Sequence, residues 1–109
     1  MSVIWSQQID SILSSGISLE YAGIKNWALR RDDALRAICE LEDLGVPILG
    51  GDVYQLVGEY AEQTYDSWYC NHEVGESDLA FLKRSSDKAR VYICNYLVDG
   101  ALFAIVPKI

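Results

Sequence analysis

Apolar positions recur at helical spacing in three stretches of the chain. Between Val3 and Ser15, Trp5, Ile9, Ile12 and Leu13 share one face, and Gly16 stands where a helix would stop. After Asp32, the residues Ala34, Ala37, Ile38, Leu41 and Leu44 form an amphipathic stripe. Asp32 reads as the N-cap of that helix, and Asp33 lies in the first turn, where the helix dipole favours an acid. Gly45 occupies the place of a left-handed C-cap, and Pro47 prevents continuation. The third stretch opens at Ser77-Asp78 and keeps Leu79, Leu82, Ala89, Ile93 and Tyr96 on one face until about Asp99-Gly100. Ser85-Ser86-Asp87 in its middle has the form of a second N-cap, so one kinked helix and two successive helices both fit.

The remaining segments read as strands and loops. Ile17 to Arg31 is apolar and aromatic without a steady period, which fits a loop with room for a short strand. Val46 to Leu49 is a short apolar strand, expected to break at Gly50-Gly51 in a tight connection that needs positive φ. Val53 to Cys70 is rich in Tyr, Val, Thr and Trp, which suit a pleated sheet. Gly58 would cost a helix there about 1 kcal/mol relative to alanine. A β-hairpin follows, with strands near 52–57 and 60–71 turning at Gly58-Glu59. Period two then places Thr64, Asp66, Trp68, Cys70 and His72 on one side, marked as the core side by Trp68 and Cys70. Tyr65, Ser67, Tyr69, Asn71 and Glu73 fall on the other. Ala101 to Val106 reads as a final buried strand. This order predicts an α+β fold: a small antiparallel sheet packed against three or four helices, in a single domain.

Composition agrees with a folded domain. Half of the 109 residues are apolar and 23% are charged. A chain of this length buries roughly two-thirds of its unfolded surface, enough for one core without staples. The longest apolar run, Ala101 to Val106, is far shorter than the ~20 residues that span a bilayer. The first ten residues carry no basic n-region and no continuous apolar stretch, so no secretory leader is expected. Cys39, Cys70 and Cys94 lie 31 and 24 residues apart with no C-x-x-C pair. That spacing fits neither a zinc ribbon nor a disulfide framework. Free, mostly buried thiols in a reducing cytoplasm are expected instead.

The formal charge of −7 is unevenly placed. Residues 1–36 balance four acids with four bases. Residues 37–82 hold ten acids and no base, and residues 83–109 carry a net +3. An acidic middle repels phosphates, so nucleic acid is not an expected partner, whereas a basic protein is.

Candidate chemistry is sparse. Cys70 and the one histidine, His72, lie two apart, but on a strand such residues are roughly 6–7 Å apart with parallel side chains, unlike a nucleophile and its base. Gly50-Gly51-Asp52 lacks the Lys and Ser/Thr of a phosphate loop. Glu73, Glu76 and Asp78 do not match an EF-hand loop. No cofactor or metal is called for. What stands out is the interleaving of acids and aromatics along the hairpin. Tyr and Trp are strong interface anchors, and carboxylates add steering. Tyr54, Glu59, Tyr60, Glu62, Tyr65, Asp66, Tyr69 and Glu73 are the candidate partner-binding residues.

Three runs carry a family resemblance: Asn26-Trp27-Ala28-Leu29 with Arg31-Asp32-Asp33-Ala34-Leu35, then Ile48-Leu49-Gly50-Gly51-Asp52-Val53-Tyr54, then Tyr65-Asp66-Ser67-Trp68-Tyr69. Together with Ala89, Tyr92-Ile93 and Tyr96, they make residues 19–106 resemble the immunity protein 40 family. The Gly-Gly-Asp-Val-Tyr run with Asp-x-Trp-Tyr downstream is the most specific part. The resemblance implies a cytoplasmic, non-enzymatic antagonist that binds a cognate toxin of a bacterial polymorphic toxin system. The acidic surface suits a basic toxin, a nuclease for example, because nucleases must bind phosphate backbones. It also suits occlusion of the toxin's active site or substrate groove. The competing reading is a small ligand-binding domain or enzyme with a polar cleft near residues 50–72, using Gly50-Gly51-Asp52 and His72.

Overall fold

A computed structural model describes residues 6–109, so the Val3–Trp5 start expected for the first helix lies outside the described residues. Helix α1 (Gln7–Leu13) begins at Ser6, whose Oγ accepts the Ile9 N–H at 3.2 Å, and it buries Ile9 and Leu13. It ends at Ser14 rather than at Gly16. Gly16 is needed for a different reason: a Cβ there would lie 2.5 Å from the Ala28 carbonyl oxygen. The aperiodic stretch that follows contains two short antiparallel strands, β1 (Ile17–Ser18) and β2 (Trp27–Arg30), with a 3-10 turn at Glu20–Ala22 between them.

Helix α2 (Arg31–Asp43) starts one residue before the expected cap. Arg30 is the N-cap and makes no side-chain cap bond, so Asp32 and Asp33 both act within the first turn, through the dipole. The other end is as expected. Gly45 has φ +75°, its N–H donates to Glu42 O, and the Val46 N–H donates to Leu41 O, which closes the helix with a Schellman pair. Ala34, Ala37, Ile38 and Leu41 are fully buried, while Leu44, past the last packed turn, is exposed.

The hairpin forms from β3 (Ile48–Val57) and β4 (Tyr60–Tyr69), turning at Gly58 with φ +62°. Gly50-Gly51 does not break the strand. Both glycines lie inside β3, and Gly50, at φ +152°, holds a backbone conformation that side chains rarely adopt. A Cβ on Gly51 would sit 2.3 Å from the Trp68 indole, so the glycine is what lets Trp68 lie across β3.

Helix α3 (Asp78–Asn95) is a single continuous helix, capped by Ser77 Oγ accepting the Ala80 N–H at 3.1 Å. Ser85 and Ser86 are buried within it and cap nothing. Both hydroxyls donate back to Leu82 O, and Ser85 Oγ also accepts the Ile48 N–H at 3.1 Å. The packed row is Phe81, Ser85, Ala89 and Ile93, each four apart, and Leu79 is 75% exposed. The expected apolar face drifted because two of the inward positions are serines.

Strand β5 (Ala101–Pro107), last in the chain, lies at the centre of one antiparallel sheet of order β1-β2-β5-β3-β4. The helices cover one face, where Leu29, Ile38, Leu41, Val53, Trp68, Ile93, Phe103 and Ile105 share a core. The outer face carries a smaller core of Leu19, Ala28, Tyr54, Ala61, Leu102 and Ala104, with Ile17 packed against it. The protein is therefore α+β, with three α-helices against one antiparallel sheet.

Candidate partner interface

Strand β4 forms one edge of the sheet and carries the irregularity that shapes this surface. Asp52 pairs with Ser67 and Tyr54 with Gln63, so Val53 alone opposes Thr64, Tyr65 and Asp66. The extra residues bulge outward. Tyr65 takes φ +70°, alone among the described non-glycine residues in having positive φ. Such a conformation costs on the order of 1–3 kcal/mol and persists only where neighbours enforce it. Thr64 does so: its hydroxyl donates to Val53 O at 3.0 Å and accepts the Asp66 N–H at 3.2 Å. Bulges re-aim side chains, and here Tyr65 stands 88% exposed.

The expected alternation holds along the rest of β4. Trp68 and Cys70 are buried on the helix side, with Trp68 stacked on Tyr92 at 4.8 Å, while Ser67 and Tyr69 are exposed. The Tyr69 ring is 69% exposed and lies 5.2 Å from Lys88 Nζ. Asp66 Oδ2 accepts the Tyr96 hydroxyl at 2.6 Å, and that hydrogen bond raises the Tyr96 pKa above its ordinary value. Glu59 and Glu62 are exposed near the hairpin tip, where Tyr60 packs at 5.1 Å against Tyr21.

Tyr54 sits differently. It is only 3% exposed, in the outer core, with its hydroxyl accepting from Gln63 Nε2 at 3.1 Å. Burial, then the nearby Asp52 charge, pushes its phenol pKa up. Tyr54 supports the surface from beneath, because the segment after β1 folds over the outer face: Leu19 joins its core, and the Tyr21 hydroxyl donates to Ala61 O.

Glu73 lies on the loop after β4, away from the hairpin tip. Arg84 clamps that loop to α3, donating to both Glu76 carboxylate oxygens at 2.7 and 2.8 Å and to Asn71 O at 2.5 Å. Glu73 Oε1 stands 3.9 Å from the same guanidinium. Hydrogen bonds from Arg84 hold the Glu76 carboxyl down at about 2. Cys70 and His72 form no dyad. Cys70 Sγ accepts from Arg84 Nη1 at 3.1 Å, whereas the His72 ring stacks on Phe81 at 4.7 Å with Nε2 2.6 Å from Glu76 O. His72 is thus on the helix side and Asp52 on the opposite face, so the two do not line one cleft. Of the three free thiols only Cys70 is buried. Cys39 and Cys94 each follow a buried isoleucine by one position, which rotates them out to solvent.

Charge is sorted as well. Lys83, Arg84 and Arg90 are engaged by Asp87, Glu76 and Glu42. Among the described residues, Asp52, Glu59, Glu62 and Asp66 take part in no ion pair. Leu56 and Val57, exposed beside the Gly58 turn, join Tyr21 as surface residues that the acid–aromatic pattern missed. Their signal was in the chain, since apolar residues next to a hairpin turn lie beyond the reach of the packed helices.

Fold and surface together define a small α+β protein with an exposed hairpin that is aromatic and carries only negative formal charge. It belongs to the immunity protein 40 family, whose match covers residues 18–107 and so includes β2 to β5, α2 and α3. Comparison with curated proteins and with solved structures gave no match.

Proposed function

We propose that the protein neutralises a cognate toxin in the cytoplasm of the producing bacterium, by binding rather than by catalysis. The docking surface is the β3–β4 hairpin: Glu59, Tyr60 and Glu62 at the tip, and Tyr65, Asp66 and Tyr69 along the edge strand. Glu73 extends it at the loop. One observation supports this most directly: the hairpin exposes large aromatic and apolar side chains among carboxylates that, among the described residues, take part in no ion pair. Family membership supplies the class of partner. The partner is a basic toxin domain, a nuclease among the candidates, and occlusion of its working surface is the mode of inhibition. Neither nucleic acid nor membrane is a partner in this reading. Among the described residues no helix is long and apolar enough to cross a bilayer.

The test is co-expression with the cognate toxin domain, which this reading expects in the neighbouring reading frame. The expected result is restored growth and co-purification as a complex. Growth arrest with no complex would overturn the reading.

A further inference from the structure

We infer that Asp52 is the cation-receiving centre of this surface, its half-buried carboxylate taking an arginine or lysine side chain of the partner between the small residues Ser67 and Ala104. The inference rests on the toxin-binding reading and deepens it. Asp52 pairs with Ala104 on one side and Ser67 on the other. Paired residues share a face, and Ala104 belongs to the outer core, so the Asp52 side chain points away from the helices. The neighbouring Gly50 lies tight against β4, where a Cβ would fall 2.2 Å from Trp68 O. The carboxylate is thus flanked across the strands by two small residues, Ser67 and Ala104. Tyr69 and Val106, both paired with Gly50, are exposed beyond them.

Charge complementarity names the occupant. Asp52 is half-buried, has no ion pair among the described residues, and lies on a hairpin without a base. Burial raises its pKa, so part of its hydration is already lost in the free protein. A cation arriving there meets a charge that water screens less than it screens Glu59 or Glu62. The fork of an arginine fits a carboxylate with two acceptor oxygens.

The experiment uses Asp52→Asn, with Glu62→Lys as the rim control, and follows binding kinetics against the toxin domain that co-expression pairs with this protein. Asp52→Asn is expected to melt at or above the parent temperature, because it removes a desolvated charge. Its complex is expected to dissociate about 30-fold faster or more, as when one partner of a desolvated charge pair is lost. Glu62→Lys should instead act on association. NMR titration of the Asp52 carboxyl should show its pKa falling when the complex forms. A parental dissociation rate for Asp52→Asn, with the parent binding normally, would overturn the proposal and leave the toxin reading standing. So would a parent that dimerises through this face and an Asp52→Asn variant that does not. A parent that fails to bind the toxin would overturn the toxin reading and the proposal with it.

Discussion

Ser85 and Ser86 are adjacent, equally buried, and bonded to the same carbonyl, Leu82 O. Their consequences differ because Ser85 alone also receives a donor from another element, the Ile48 N–H. Removing that acceptor leaves a buried N–H without a partner, which costs about 1–3 kcal/mol. Ser85→Ala is expected to lose that much in denaturant unfolding. Ser86→Ala deletes only a back-bond within the helix and gains alanine's propensity, so it should stay within about 1 kcal/mol of the parent. Equal losses for the two would mean that Ser85 does not join α3 to β3. Gly51 makes a similar point, since the neighbouring indole rather than its own backbone forbids a side chain.

At the scale of elements, the loop between β4 and α3 is held by one guanidinium. Arg84 reaches both Glu76 oxygens and the Asn71 carbonyl, while the Glu76 carboxylate also accepts the Glu73 N–H at 3.1 Å. The folded-state pKa of Glu76, about 2, lies below its ordinary 4.5. The stabilisation from this ion pair is therefore complete above about pH 4.5 and is lost as pH falls toward 2. Glu76→Gln should be less stable than the parent at neutral pH, and the gap between them should close on acidification through that window. Thermal melts of both proteins at several pH values check this. A gap that stays constant from pH 5 to about 2 would place the loop's anchorage elsewhere.

For the whole molecule, what matters is where the charges are left over. The bases near the C-terminus are largely spent on α2, α3 and the Glu73–Glu76 loop, and Lys88 lies against the Tyr69 ring, so the hairpin carboxylates take part in no ion pair among the described residues. Long-range attraction of this kind is screened over about 10 Å at 0.1 M salt and shows up in association rates. Toxin association should slow as salt rises, and Glu62→Lys should lower both the rate and its salt dependence. Salt-independent association, with Glu62→Lys at the parental rate, would reduce the acidic face to a solvated one.

The features legible in the chain are those that local physics decides. Helix α2 with its buried stripe and Gly45 cap, the Ser77 cap, the Gly58 hairpin, the faces of β4 and the final buried strand each depend on neighbours a few residues away. The family resemblance was legible too, because its motifs are contiguous. What lay outside the local pattern came from residues distant in sequence. The Gly50-Gly51 pair looks the same whether it makes a turn or makes room for an indole, and only the approach of Trp68 decides between them. Tyr54 alternates like an exposed residue until the Leu19–Tyr21 segment folds over it. The serines of α3 read as a break until Ile48 supplies a donor. Asp52 carries the same charge as its neighbours in any composition count. Its half-buried place on the outer face exists only once β5 and β4 flank β3, because partial burial is a property of packing, not of spacing.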